Sequence, residues 1–114
     1  METKIAIIGA GNLGLSFVKG LVSSEKYKPS NFILSRRDIG KLASYEAQGF
    51  KINSDNKEAI LGANIIVLAV LPQKIDVVLN ELQGLIRKDQ LVISLVSGVK
   101  VNDIQTQLGD AISI

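Results

Sequence analysis

The chain of 114 residues contains no cysteine, no histidine and no tryptophan, and only 4% of its residues are aromatic. Without cysteine, disulfide bonds and thiol nucleophiles are excluded, and without histidine as well, so are the usual zinc sites. The lack of histidine also removes the side chain that most often acts as a general base at neutral pH. Chemistry carried by these residue types is therefore excluded from the chain.

A large excess of one charge and a long apolar run are also missing. The net charge is +2, and Arg36-Arg37 and Arg87-Lys88 are the only adjacent basic pairs, so no basic stripe for nucleic acid is present. Apolar runs such as residues 65–71 are far too short to span a bilayer, and residues 1–14 lack the layout of a signal peptide. We expect a soluble, cytoplasmic protein that binds neither nucleic acid nor membrane.

The residues that are abundant indicate the fold class. Hydrophobic residues make up 46% of the chain and are mostly Ile, Leu, Val and Ala, which suits buried parallel strands covered by helices. Strand and helix patterns alternate, and the length suits one domain. Strands are predicted at residues 4–9, 31–35, 50–53, 64–71, 90–95 and 111–114. Helices are predicted at residues 12–22, 38–48, 55–61 and 101–108, and a long helix from Pro72. The helix at 38–48 is predicted to face inward through Ile39, Leu42 and Ala43, and the long helix through a buried stripe of Ile75, Val78, Leu79 and Leu82. We therefore expect an α/β fold: a Rossmann-type, doubly wound, mostly parallel sheet in a single three-layer domain over residues 1–114.

A glycine motif, Gly-x-Gly-x-x-Gly, joins the first predicted strand to the first predicted helix. Gly9 permits the tight turn after the strand, Gly11 lets a pyrophosphate approach the backbone, and Gly14 lets the helix pack closely on the strand. Asn12 and Leu13 lie inside the motif, where free N–H groups and the helix dipole favour negative charge. Because the motif has a strand before it and a helix after it, it predicts a dinucleotide site.

The end of the second predicted strand indicates which dinucleotide binds. An acidic residue at this position would accept from the ribose 2′-hydroxyl of NAD and repel a 2′-phosphate. The chain instead has Ser35, Arg36 and Arg37, about 20 residues after Gly14 as in the fingerprint, and a hydroxyl with guanidinium groups suits a dianionic phosphate. Asp38 is interpreted as the N-cap of the next helix. The sequence therefore favours NADP(H) over NAD(H), with Arg36 ahead of Arg37 as the phosphate ligand.

Two later strand ends should line the same crevice, because ligands of open α/β sheets bind beyond the carboxyl ends of the strands. The fourth strand ends at Ala69, Val70, Leu71 and Pro72. The fifth is followed by Ser97 and Gly98. Small and apolar residues at these positions would let the flat nicotinamide ring pack.

These pieces resemble one family in particular, the N-terminal domain of pyrroline-5-carboxylate reductase. The resemblance rests on residues 7–14, Ser35-Arg36-Arg37, residues 56–59, residues 69–73 and residues 93–99. It implies NADPH-dependent reduction of the C=N bond of 1-pyrroline-5-carboxylate to L-proline. It further implies that Asn56 contacts the adenosine part of the cofactor and that Ala69, Val70 and Pro72 border the nicotinamide.

The chain departs from this family in two ways. Leu71 stands where the family usually carries a lysine, so an ammonium near the cofactor hydroxyls is lost. The family also continues into a helical domain for dimerisation and substrate binding, whereas this chain stops in a predicted strand. We therefore expect a fragment that binds NADP(H) without efficient turnover and that forms a homo-oligomer. No residue of the chain is assigned a catalytic role.

Other readings of the same residues remain open. An F420-dependent NADP oxidoreductase has a similar glycine motif and a similar Ser-Arg pair. A regulatory NAD(P)-sensing module and an interaction domain without a bound nucleotide are further alternatives.

Overall fold

The computed structural model describes residues 3–109 and 112–114. Its five strands form one sheet in the order β3-β2-β1-β4-β5, and every pairing is parallel. The strands are β1 (Ile5–Ile8), β2 (Phe32–Ser35), β3 (Lys51–Asn53), β4 (Ile65–Leu68) and β5 (Leu91–Ser94). The α-helices are α1 (Asn12–Ser23), α2 (Ala43–Glu46), α3 (Asn56–Leu61), α4 (Ile75–Leu82) and α5 (Val101–Leu108). The expected Rossmann-type parallel sheet is confirmed.

The strand order reverses next to β1, which pairs with β2 on one side and with β4 on the other. Ile8 at the end of β1 lies opposite Ser35 in β2 and opposite Leu68 in β4. The carboxyl ends of these three strands therefore open onto one crevice. In parallel α/β sheets this reversal is where ligands bind.

Alternation along β1 separates two hydrophobic cores. Ala6 and Ile8 face a core built with α3, α4 and α5. Ile5 and Ile7 face a second core on the opposite side of the sheet, built with α1 and the segment around Leu42. Since both faces of the strand are buried, β1 is almost uniformly apolar, as parallel strands usually are. The three expected layers are present.

Several element boundaries differ from the sequence prediction. The fourth strand ends at Leu68, not at residue 71, and Pro72 begins a short 3-10 helix (Pro72–Lys74) before α4 starts. The helix predicted at 38–48 is a 3-10 helix (Ile39–Leu42) followed by a single α-turn. Asp38 is its N-cap, as predicted, because its carboxylate accepts from the Gly40 N–H at 3.2 Å.

The last predicted strand is described only in part, because Ala111 lies outside the described residues. Ser113 forms a single parallel bridge with Leu91, and its carbonyl oxygen accepts from the Val92 N–H at 2.9 Å. In the part of the chain that is described, no helix has the length and apolar character needed to cross a membrane.

Candidate functional site

A cavity of about 820 Å³ lies at the carboxyl ends of β1, β2 and β4. Its volume is typical of small-molecule and cofactor sites. Twelve of the fourteen residues that the sequence places at a cofactor site line it, and the two that do not are Gly14 and Gly98. The twelve are Gly9, Gly11, Asn12, Leu13, Ser35, Arg36, Arg37, Asn56, Ala69, Val70, Pro72 and Ser97.

The three glycines of the loop after β1 meet different surroundings. A Cβ atom on Gly9, whose φ is +85°, would lie 2.6 Å from Val70 Cγ1, so glycine is required there by conformation and by the approach of the segment that follows β4. A Cβ on Gly14 would lie 2.9 Å from Ile7 Cγ2, so this glycine lets α1 pack on β1. A Cβ on Gly11 would meet no atom within 4 Å and would project into open space.

The N-terminus of α1 faces the cavity through Asn12 and Leu13. Gly11 is its N-cap, with no side chain capping the helix and no acidic residue in the first turn. The first N–H groups of a helix have no partner within the helix. Their orientation and the helix dipole make this end of α1 suited to an anion.

The end of β2 places two guanidinium groups beside the glycine loop. The Gly9 and Ala10 N–H groups donate to the Ser35 carbonyl oxygen at 3.1 and 2.9 Å, which ties the loop to β2. Arg36 is half-buried, and its Nη1 donates to the Ala10 carbonyl oxygen at 3.4 Å. Arg37 is exposed. Both arginines line the cavity.

The hydroxyl of Ser35 is placed differently from the expectation. Ser35 is fully buried, and its Oγ donates to Asn56 Oδ1 at 2.6 Å. Its proton is therefore engaged within the protein and not available to a phosphate in this conformation. Asn56 is the first residue of α3, next to the N-cap Asp55, and its Nδ2 donates to Glu81 Oε2 at 3.5 Å.

The opposite wall of the cavity is mostly apolar. Ala69 is buried and Val70 half-buried, whereas Leu71 is exposed. Ser97 also lines this cavity. Gly98, expected beside it, instead lines a separate groove of about 530 Å³ between α4 and α5. Ser97 and Gly98 are adjacent in the loop after β5 but line different cavities.

Sequence reasoning missed one side of the site, which comes from α4 and the turn before it. Lys74, Val77, Val78 and Glu81 all line the cavity. Their spacing of three, four and seven residues is that of one helix face. The residues predicted to form the buried stripe of this helix are all buried: Ile75, Val78, Leu79 and Leu82. The signal for Lys74, Val77 and Glu81 is their helical spacing on the face next to this buried stripe.

The charges on the cavity wall are mainly positive. Arg36, Arg37 and Lys74 are cationic, and Glu81 is the one carboxylate among the described lining residues. Among residues 3–109 and 112–114, no three histidine, cysteine, aspartate or glutamate side chains are grouped so that they could hold a metal ion. The arrangement therefore suits an anionic ligand with an apolar part.

The fold and the crevice place the chain in the class of Rossmann-type α/β domains. The family model described as "NADP oxidoreductase coenzyme F420-dependent" matches residues 4–98, so the chain belongs to this family.

Named relatives agree with the resemblance found in the sequence. Pyrroline-5-carboxylate reductase 2 of Dictyostelium discoideum is 38% identical over 105 residues, which are 91% of this chain and 35% of the relative. The structure of a pyrroline-5-carboxylate reductase from Coxiella burnetii superimposes with a TM-score of 0.88 at 35% identity and covers 98% of this chain and 42% of that one. The expected resemblance to pyrroline-5-carboxylate reductases is thus confirmed, and the chain spans less than half the length of these relatives.

The same fold occurs with a bound nucleotide in a more distant structure. Plasmodium falciparum pyrroline carboxylate reductase with NADP bound superimposes with a TM-score of 0.78 at 24% identity and covers 96% of this chain and 39% of that one. At this identity the likeness shows the fold alone.

Proposed function

We propose that the chain binds NADP(H) in the cavity at the carboxyl ends of β1, β2 and β4. One observation carries the proposal: a single cavity joins the uncapped N-terminus of α1 to the guanidinium groups that follow β2. NADP(H) carries a pyrophosphate and a separate 2′-phosphate, so it needs two anion sites in one crevice. A mononucleotide or NAD(H) would leave the second site without a partner.

The residues present fit such a cofactor. The open space at Gly11 leaves room for the pyrophosphate against the backbone, and the first N–H groups of α1 would hold it. Arg36 and Arg37 would hold the 2′-phosphate through charge-assisted hydrogen bonds. Ala69, Val70 and Pro72 would border the nicotinamide. The nicotinamide would supply the hydride, and the protein would orient the ring.

We further propose that residues 1–114 are the cofactor domain of a reductase that transfers this hydride to the C=N bond of 1-pyrroline-5-carboxylate and forms L-proline. The support is the 38% identity with a pyrroline-5-carboxylate reductase over nearly the whole chain. The chain alone should turn over this imine very poorly, because the residues that would border the nicotinamide, Ala69, Val70 and Pro72, include no general acid for the ring nitrogen. A cytoplasmic location and assembly as a homo-oligomer remain predictions.

A second candidate is electron exchange between NADP(H) and the deazaflavin F420. It is favoured by the description of the family model that matches residues 4–98. The two candidates share the cofactor site and differ in the second substrate. Supplying NADPH with either 1-pyrroline-5-carboxylate or oxidised F420, and following NADPH absorbance, separates them. Robust proline formation by the 114 residues alone would contradict the proposal that the chain turns over poorly.

Titration of NADPH and NADH into the wild-type chain and Arg36→Ala tests the cofactor proposal. Removing a charged contact to the 2′-phosphate should weaken NADPH binding by about 1.5–3 kcal/mol, or roughly 10- to 150-fold. NADH affinity should stay the same, because NADH has no 2′-phosphate. Lys26→Ala removes an exposed cation outside the cavity and is the matched control for net charge. Equal affinities for the two cofactors, unchanged by Arg36→Ala, would show that the assignment at the end of β2 is wrong.

A further inference from the structure

Three cavity residues from different parts of the chain form a hydrogen-bonded row. Ser35 Oγ donates to Asn56 Oδ1 at 2.6 Å. Asn56 Nδ2 in turn donates to Glu81 Oε2 at a longer distance of 3.5 Å. Ser35 ends β2, Asn56 begins α3, and Glu81 lies near the end of α4. Glu81 is half-buried, and no cation pairs with it among the described residues.

The carboxylate at the end of this row determines its direction. An ionised glutamate only accepts hydrogen bonds, whereas a hydroxyl can donate or accept and an amide can present either end. If the Asn56 amide were flipped, Oδ1 would face Glu81 Oε2, so two acceptors would oppose each other without a proton. The buried Ser35 hydroxyl would then meet Nδ2 and lose its acceptor. The amide orientation follows from the hydrogen-bond network, and Glu81 is the member of the network that cannot reverse.

We infer that Glu81 is a positioning residue of the cofactor site that acts through Asn56. With this direction, the Asn56 amide keeps one N–H and one Oδ1 lone pair for a ligand in the cavity. The Ser35 proton is committed to Asn56 and Ser35 is fully buried, so Ser35 donates no hydrogen bond to a bound nucleotide. The 2′-phosphate is then left to Arg36 and Arg37. This inference rests on the proposed binding of NADP(H).

Glu81→Gln and Glu81→Leu form a matched pair for the test. Both remove the negative charge from the cavity, but glutamine keeps an acceptor for Asn56 Nδ2 and leucine does not. Glu81→Leu should bind NADPH roughly three- to tenfold more weakly than Glu81→Gln, which corresponds to one lost hydrogen bond. In an Asn56→Ala background the two variants should bind equally, because Glu81 acts only through Asn56. The same pair at Glu46, an exposed carboxylate of α2 outside the cavity, is the control and should show no difference.

Two results would overturn the inference. One is equal NADPH affinity of the glutamine and leucine variants when Asn56 is present. The other is a difference that persists in the Asn56→Ala background, since that would indicate a general effect on packing.

The side-chain amide resonances of Asn56 test the row without any cofactor. In ¹⁵N–¹H spectra of the free chain they should move in Glu81→Leu and move much less in Glu81→Gln. Resonances that move equally in both variants would also overturn the inference. This measurement needs no ligand, so it tests the hydrogen-bonded row separately from the proposed NADP(H) binding. Failure of the proposed binding would instead be shown by a wild-type chain that does not bind NADPH.

Discussion

Alanine at Gly11 should weaken cofactor binding with little effect on the fold, whereas alanine at Gly9 should destabilise the fold. The two glycines are two residues apart in the same loop, so they form a close internal comparison. A Cβ on Gly11 meets no atom within 4 Å, and the φ of Gly11 is −93°. A Cβ on Gly9 lies 2.6 Å from Val70 Cγ1 and 3.0 Å from Val70 Cα, at a φ of +85°.

The structure gives the size of each effect on stability. At Gly9, a left-handed conformation costs an alanine about 1–2 kcal/mol. Forcing its methyl group against Val70 adds roughly 1–3 kcal/mol. At Gly11, alanine restricts the unfolded chain, which stabilises by about 0.4–1 kcal/mol. It is also a poorer N-cap than glycine by a similar amount, so the free energy of unfolding should change by about 0.5 kcal/mol or less.

Urea denaturation and NADPH titration of both variants measure these effects. The methyl group of Gly11→Ala occupies space where the pyrophosphate would contact the backbone. The loss of one charge-assisted hydrogen bond weakens NADPH binding roughly tenfold or more. Gly11→Ala that binds NADPH as tightly as the wild type would refute the pyrophosphate position. Gly11→Ala that is as destabilised as Gly9→Ala would refute the reasoning on open space.

Three further substitutions test other parts of the structure. Lys74→Ala should weaken NADPH binding about threefold at low salt, and this difference should shrink at high salt because salt screens an exposed charge. If the difference in NADPH affinity does not depend on salt in titrations, Lys74 has no role in binding the anion. Leu71→Lys adds an ammonium to the exposed rim of the cavity and should raise NADPH affinity about threefold, and an unchanged or lower affinity in the same titration would count against it. Gln90→Leu should lower the free energy of unfolding by roughly 2–4 kcal/mol in urea, because the buried Gln90 Nε2 donates to the carbonyl oxygens of Ile60 and Ala63 at 2.7 and 2.9 Å; a loss below about 1 kcal/mol would show that these carbonyls find other partners.

Features that depend on residues close together in the sequence were predictable from it. The β1 strand, the glycine loop and α1 follow from an apolar run, glycines at fixed spacing and a 3.6-residue period. The core-facing side of α4 was predicted correctly for the same reason. Near residue 40 the same reasoning was only partly right. Leu42 is buried as expected, but Ile39 is 41% exposed, because the chain there forms a 3-10 helix whose residues point in other directions than those of an α-helix.

The end of β4 shows why boundaries are harder to predict. Residues 64–71 are almost all apolar, so periodicity alone predicts one long strand. The strand ends at Leu68, and the residues after it pack against the glycine loop and line the cavity. Val70 packs where a Gly9 Cβ would lie. The apolar character of these residues reflects contacts across the crevice, which a single sequence does not display.

The sequence by itself determined the parallel α/β fold and the glycine turn, and it predicted an anion at the start of the first helix and a 2′-phosphate at the arginines. These are properties of short segments: a residue's allowed φ, a helix period, a charge at a strand end. Only the tertiary structure decided that Ser35, Asn56 and Glu81 meet, that the Ser35 proton is engaged, and that α4 supplies one wall of the cavity. These residues are 21 and 25 positions apart. They come together because the strand order reverses beside β1 and brings β2, α3 and α4 to the same crevice.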